Sequence, residues 1–540
     1  MAKVDTARFA MVQRPDVPRS AFDIRYNHKT TLGAKFLYPI YVDEVLPGDS
    51  LRLRMNALAR LATPIVPIMD DLYLETFFFF VPNRLVWSNW ERFMGEKASI
   101  TDTTQFLMPQ VTVTDAWTSG RPEDYFGLQP PAAGQTYGVS ALPWRAYNLI
   151  WNDWFRDEDL QNPLTVTLGD GPDTMTDYDL KPRGKRHDYF TSARPWPAKP
   201  QAQANMSAAQ NLGVFTPGNT MNPVGLYGQA GAPVSGLGWL EAGAPTLVAG
   251  GPMRDSGLRT WTPDAVMQTS TAIRIAGTAT GSAWPDVRVL VNDMRTAVQV
   301  QHLIERNARG GTRYAELVRA HFGVLSPDAR LQRPEYLGGG RTIIGINPVA
   351  QTSETTAGGV LGELAAIGTG VARHGFSASF TEHGWILGLA NIRGELTYQR
   401  GVNRMWFRRT VYDHYFPSLA HLGEQAVMSK EVWTDGTSDD DLVFGYQERW
   451  SEYKYKPSMT TGFMNSNNVG TPLDIWHLGQ KFGPGRPVLN AAFVEDGTPL
   501  SRVLQVSAFL NQQVLLDASF DLRWVRPMPM FSLPGVGGRL

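Results

Sequence analysis

Alternation of apolar and polar positions marks the first readable part of the chain as β. In "GAKFLYPIYVDEVL" (33–46) the set Phe36, Tyr38, Ile40 and Val42 is wholly apolar, as one buried face of a strand requires. Pro47, Gly48 and Asp49 then signal a turn. After it Leu51, Leu53 and Met55 alternate with Arg52, Arg54 and Asn56, which predicts a strand with one buried and one wet face. The next segment, "DLYLETFFFFVP" (71–82), behaves differently. Its two faces are Leu72, Leu74, Thr76, Phe78, Phe80 and Tyr73, Glu75, Phe77, Phe79, Val81. Both are apolar at the phenylalanine end, so this strand should be covered on both sides, with Pro82 ending it. One pair of rings, Phe78 and Phe80 or Phe77 and Phe79, is expected in the core of a sandwich. The other is expected under an inserted loop or a neighbouring subunit.

Helical spacing follows. "NRLVWSNWERF" (83–93) sets Val86, Trp90 and Phe93 on one side. "LPWRAYNLIWNDWFRDEDL" (142–160) carries Trp144, Tyr147, Asn148, Trp151, Trp154 and Phe155 at helical intervals. A longer helix is predicted over 288–308, with Leu290, Met294, Ala297 and Val298 on one side. In "GGTRYAELVRAHFGV" (310–324) the apolar stripe is Tyr314, Leu317, Val318, His321 and Phe322, with Thr312 as N-cap and Gly323 just past the end. His321 on that stripe reads as a hydrogen-bonded core histidine. Beyond Gly375 the chain is β again, through "GWILGLANIRGELTY", "DDLVFGYQERWSEYKYKP" and "QVSAFLNQQVLLDASFDLRWVRP". Strands at both ends with helices between them predict one β-sandwich with enlarged loops. Its parts are 1–202, a Gly/Ala/Pro-rich insertion at 203–285, and 286–540.

Composition narrows the function. The chain has 540 residues and 43% hydrophobic content, enough for a core. Lys plus Arg is 50 against 51 Asp plus Glu, a formal net charge of -1. Contact with nucleic acid must then be local, or shared with a more basic partner. The absence of cysteine excludes disulfides, thiolate metal sites and cysteine nucleophiles. The start shows no apolar signal region, and no run of roughly 20 apolar residues supports membrane insertion.

Short motifs give little chemistry. Asp413–His414 and His187–Asp188 are adjacent pairs, whereas a metal needs three or four converging ligands. "YLGGGRT" (Gly338–Gly340, Arg341) and "ARGGTRY" lack the Walker and dinucleotide patterns and read as glycine-bearing loops or helix boundaries. No nucleophile elbow or HExxH occurs, so neither an enzyme nor a cofactor is expected. Two basic clusters mix cations with rings, as single-stranded nucleic acid would require. They are Lys181, Arg183, Lys185, Arg186 and Arg404, Arg408, Arg409. Their plainer reading is a solvated face or salt bridges between subunits. Phe77–Phe80, Trp144, Trp151 and Trp154 are the candidate core or interface aromatics.

Four long strings carry a resemblance: "VDEVLPGDSLRLRMNALARLATPIVPIMDDLYLETFFFFVPNRLVWSNW" (42–90), "LPWRAYNLIWNDWFRDEDLQ" (142–161), "KRHDYFTSARPWPAKP" (185–200) and "ERNARGGTRYAELVRAHFGVLSPDARLQRPEYLGGGRT" (305–342). Weaker matches run through 388–402 and 413–427. With these the chain resembles the major capsid proteins of microviruses (Microviridae), of the gokushovirus type. The resemblance implies a mainly β fold, a single eight-stranded viral jelly roll with large loop and helical insertions. It implies pentamers and a 60-copy T=1 icosahedral shell around a circular single-stranded DNA phage genome, made in the host bacterial cytoplasm and found in the virion. Further implied partners are a small basic DNA-binding protein, internal scaffolding and pilot proteins, and a host-cell surface receptor met by threefold protrusions built from 203–285. The terminal segments match no pattern.

The rival class is a carbohydrate-binding or carbohydrate-active β-sandwich. Sixteen tryptophans could line a glycan groove, with Asp153 and Glu158 as acid and base. Such chemistry needs two carboxylates facing across a groove, which nothing in the sequence arranges.

Overall fold

In a computed structural model the described residues are 18–97, 105–115, 120–197, 291–309, 314–323, 332–350, 352, 361–362, 364–468, 470, 473–483, 485–505 and 512–531. The insertion 203–285, Thr312 and most of the two termini lie outside them. Contacts divide the chain into two units, residues 1–197 with 310–540, and residues 198–309. Of the second unit the described part is the helix Val291–Arg309, as the spacing predicts. Within it Ile304 is buried, Ala297 half-buried and Val298 exposed.

The first unit is the jelly roll. The strands described are β1 Ser20–Leu32, β2 Tyr38–Val45, β3 Ser50–Leu61, β4 Leu72–Pro82, β5 Gln110–Thr114, β6 Thr136–Ser140, β7 Glu335–Ala350, β8 Leu364–Ser379, β9 Gly384–Gly394, β10 Glu424–Met428, β11 Val443–Glu448 and β12 Val514–Arg526. Eight of them pair in the order β1-β12-β3-β8-β7-β4-β9-β2, all antiparallel. The first half of β7 pairs with β4 and its end with β8, so this hairpin joins two four-stranded sheets. The chain steps from one sheet to the other at nearly every connection, which is the double Greek key of a jelly roll. Tyr26 and Tyr41 stack at 6.5 Å across the remaining gap between β1 and β2, so the barrel is nearly closed.

β3 is the clearest link from pattern to packing. Leu51, Leu53, Met55, Ala57, Ala59 and Leu61 are buried, and every intervening residue from Arg52 to Arg60 is exposed. β2 departs from simple alternation. A register shift between Pro39 and Tyr41 turns Tyr41 into the core beside Tyr38 and Ile40 and leaves Val42 half-buried. The "YLGGGRT" segment is not a loop but part of β7. A Cβ at Gly339 would stand 2.0 Å from the Thr76 carbonyl, so close strand approach explains the glycine.

β4 is covered on both faces by its own chain. Phe78 and Phe80 enter the jelly-roll core, against Phe376 (5.3 Å) and Phe380 (4.7 Å). Gly388 lies opposite Phe78, where a Cβ would come within 2.7 Å of the ring. Phe79 and Val81 belong to a second cluster with Trp87, Tyr147, Ile150 and Trp151. The cover is the inserted helix Leu142–Ile150 and the turn Trp151–Phe155, so the second face needs no neighbouring subunit. Trp151 is buried there, whereas Trp144 on the same helix is buried in a separate cluster with Val111 and Tyr178; Trp154 is partly exposed, with its ring 5.5 Å from Phe79. Beyond Pro82 two single-turn helices, Asn83–Val86 and Trp90–Phe93, replace the one helix that the spacing suggests.

Arg145 pins this insertion. Its side chain is fully buried and donates to both carboxylate oxygens of Asp173 (2.7 Å each), to the Val86 carbonyl (3.0 Å) and to the Gly169 carbonyl (2.9 Å).

Between the sheets, His374 of β8 reaches Thr76 of β4 through Nδ1 (2.6 Å) and Thr342 of β7 through Nε2 (2.9 Å). Burial lowers its pKa below the ordinary histidine value. The unfolded chain therefore takes up the proton more readily. The contribution of neutral His374 is complete above the unfolded value of about 6.5 and is lost as pH falls toward its folded value. We expect the apparent melting temperature to drop between pH 7.5 and 5.5, and His374→Gln to flatten that dependence. An equal slope in the variant would remove His374 as its source.

Candidate assembly and nucleic-acid surfaces

The outer face of β4 begins with a charge. Glu75 shares that face with Phe77 and Phe79 and is buried, so it must be paired. Arg393 (2.9 Å), Arg186 (3.3 Å) and Arg183 (3.6 Å) converge on it. Burial opposes ionisation of Glu75, but Arg393, Arg183 and Arg186 outweigh it and hold the carboxyl below its usual range. Arg183 is also sandwiched between Phe77 (4.9 Å) and Phe155 (4.7 Å). Burial brings its pKa down to about 10. Lys185 is buried with its ammonium 4.1 Å from the Phe493 ring, and burial lowers its pKa to about 8. Arg186 bonds Glu395 as well (2.9 Å), and Lys181 is half-buried. The structure thus brings Arg183 and Arg186 together around a carboxylate and puts Lys185 among rings. A phosphate reaching either arginine would have to displace Glu75.

The second basic cluster is arranged in the same way. Arg404 bonds Glu431 (3.0 Å) and the Ala426 carbonyl (2.7 Å). Arg408 lies 3.6 Å from Glu452 and over the Tyr453 ring. Arg409 is exposed. Both histidine motifs resolve into turns. Asp413 accepts from the backbone N–H groups of Arg409 and Thr410 and from the Thr410 hydroxyl, bonds that draw its pKa down to about 2. Asp188 accepts from the N–H groups of Phe190 and Thr191. Among the described residues no group of three or more acidic or histidine side chains converges as a metal site would.

Around Arg404–Arg409 the surface is unusually aromatic. Trp406 and Tyr412 are each 73% exposed, and Tyr415, Phe416 and Tyr453 are also exposed. Nothing in the helical or strand periodicity marks these residues, because they lie on short 3-10 turns such as Arg404–Phe407 and Val411–Asp413. Their composition was the available signal: five aromatic side chains from Trp406 to Phe416 in a stretch with no apolar repeat.

A third surface is the outer face of β1-β12-β3-β8. On its β1 and β12 columns Arg25 pairs with Asp521 (3.3 Å), Lys29 with Asp517, and Arg523 approaches Asp23 (3.9 Å). On the β3 and β8 columns stand Arg52, Arg54, Arg60 and Arg373, all exposed. Among the described residues none of these four side chains has an ion-pair or hydrogen-bond partner. No helix among the described residues is long and apolar enough to cross a membrane.

Comparison with known proteins shows what this chain is similar to. The family model described as "Capsid protein (F protein)" matches residues 10–536. The capsid protein VP1 of Bdellovibrio phage phiMH2K is 39% identical, covering 98% of this chain and 98% of its own length. That of Chlamydia phage 1 is 37% identical over 98% and 97%. That of Spiroplasma virus 4 is 33% identical over 98% and 97%.

Proposed function

This chain belongs to the phage capsid protein (F protein) family, and from that premise we propose that sixty copies close a T=1 shell around a circular single-stranded DNA genome. It is a structural component of a virion rather than an enzyme, which replaces the carbohydrate-active reading. The observation that carries the assembly reading is the exposed aromatic surface led by Trp406 and Tyr412. Each such ring buries roughly 150–250 Å² in a contact, and stable interfaces bury more than roughly 1,000 Å² in total. A handful of these rings against a second copy supplies the apolar centre of one contact. With a net charge of -1 the chain leaves most neutralisation of the genome to a small basic protein. Scaffolding and pilot proteins would act during assembly in the bacterial cytoplasm. Lys181 and Arg409 stay proposed as DNA-facing. Residues 203–285, outside the described residues, are the proposed protrusion that meets a host receptor.

The test is shell formation followed by electron microscopy and size exclusion. Trp406→Ser with Tyr412→Ser should leave the chain folded and cut shell yield at least about tenfold, as loss of interface anchors does. Removal of residues 225–275 should spare shells and lower adsorption to the host. Normal shell yield from the serine variant would sink the assigned contact, and normal adsorption after the deletion would sink the receptor role.

A further inference from the structure

We propose that the outer face of β1-β12-β3-β8 holds the phosphodiester backbone of single-stranded nucleic acid, with Arg52, Arg54, Arg60 and Arg373 as the contacting groups. The inference rests on the reading of the chain as a shell around a single-stranded genome. It adds which surface meets the strand and which part of the strand is read.

The face is a ladder of paired strands whose register places every charge. Arg25, Asp521 and Arg54 lie in one row across β1, β12 and β3, and Asn56 stands opposite Arg373 on β8. Three cations on the β1 and β12 columns are offset by three carboxylates, which leaves the four arginines of β3 and β8 as uncompensated positive charge. Arg52 and Arg54 stand about 7 Å apart on β3, Arg60 lies about 20 Å further along beyond Asn56 and Leu58, and neighbouring strands are about 5 Å apart. Such an array meets a chain of phosphates at several points without a pocket.

Two features define the ligand. Guanidinium forks bind phosphate oxygens bidentately, and among the described residues these four form no ion pair, Asp521 opposite Arg54 being held by Arg25, unlike Arg183, Arg186, Arg404 and Arg408. No aromatic ring lies on this face among the described residues, so bases are not stacked and no base is preferred. The contact is therefore with the backbone alone and sensitive to salt. This also separates the face from the Trp406 surface, whose rings suit an apolar partner.

The experiment measures binding of labelled oligo(dT) to the full-length chain across a salt series. Four phosphate contacts predict a slope of log Kobs against log[salt] near about -3 for a single strand. Changing all four arginines to glutamine should bring the slope toward zero and weaken binding at 0.1 M salt on the order of a hundredfold. The matching lysine variant should keep most of both. Circular dichroism checks the fold; should the fourfold variant not fold, R54Q with R373Q should lose about half the slope. Unchanged affinity and slope in the glutamine variants overturns the proposal. So does labelled poly-aspartate binding this face as tightly as oligo(dT), which would make the occupant an acidic protein segment. Shell formation by the wild-type chain is scored separately: its failure would count against the shell reading, while the oligo(dT) series reports on the face itself.

Discussion

Phe78→Asp and Phe79→Asp should each remove the folded chain, and with it any shell, although the two rings point to opposite faces of one strand. Phe78 is 0% exposed and Phe79 1%. Truncating a buried phenylalanine alone costs about 3–5 kcal/mol. An unpaired carboxylate in the same place adds a desolvation penalty of several kcal/mol. Domains are stable by only about 5–15 kcal/mol, so either change consumes most of the margin. Phe77→Asp should behave differently. Phe77 is half-buried, and the Arg183 guanidinium lies 4.9 Å from its ring, so a carboxylate there would meet a cation. Soluble yield and particle counts for the three variants should rank Phe77→Asp well above the other two. Normal particles from Phe79→Asp would mean that the inserted helix does not need its apolar seat.

How far the sequence was legible can be followed on that strand. Period-two alternation made β3 plain, and the double apolar face of β4 required two covers. Which element supplied the second cover was hidden, because it depends on a helix about seventy residues downstream folding back over β4. Local pattern holds no record of such a return. β2 shows a second kind of loss: a one-residue register shift moves Tyr41 inward, and strict alternation then misassigns Val42. The basic clusters were visible as composition, but their partners were not. Glu75 was the readable clue, as the one charge on a strand otherwise enclosed on both sides. The cationic face was half legible: Arg52, Arg54 and Arg60 fall on the wet side of β3 in the sequence. Arg373 joins them only through pairing more than three hundred residues away.

The Arg145–Asp173 pair should prove as consequential as the phenylalanine run, for a different reason. Both side chains are buried, at 0% and 3% exposure, and Tyr178 donates a third bond to the same carboxylate (2.5 Å). Arg145→Met would strand the carboxylate and Asp173→Leu would strand the guanidinium. Breaking a buried pair from one side costs about 3–5 kcal/mol. Replacing both partners removes the uncompensated charge, so the double variant should recover at least about 2 kcal/mol against the sum of the singles. Recovery should stop short of wild type, since the Val86 and Gly169 carbonyls and the Tyr178 hydroxyl lose their partner. Apparent melting temperatures of the four chains test this, and strictly additive losses would show that the pair is not a unit. The location of the damage is a sharper measure. Arg145 ties the helix over Phe79 to the segment at Gly169–Asp173, so the single variants should become sensitive to protease around 160–175 while β1, β12 and β3 still resist. A shell subunit weakened in this way would keep its barrel and lose the cover of its second core first.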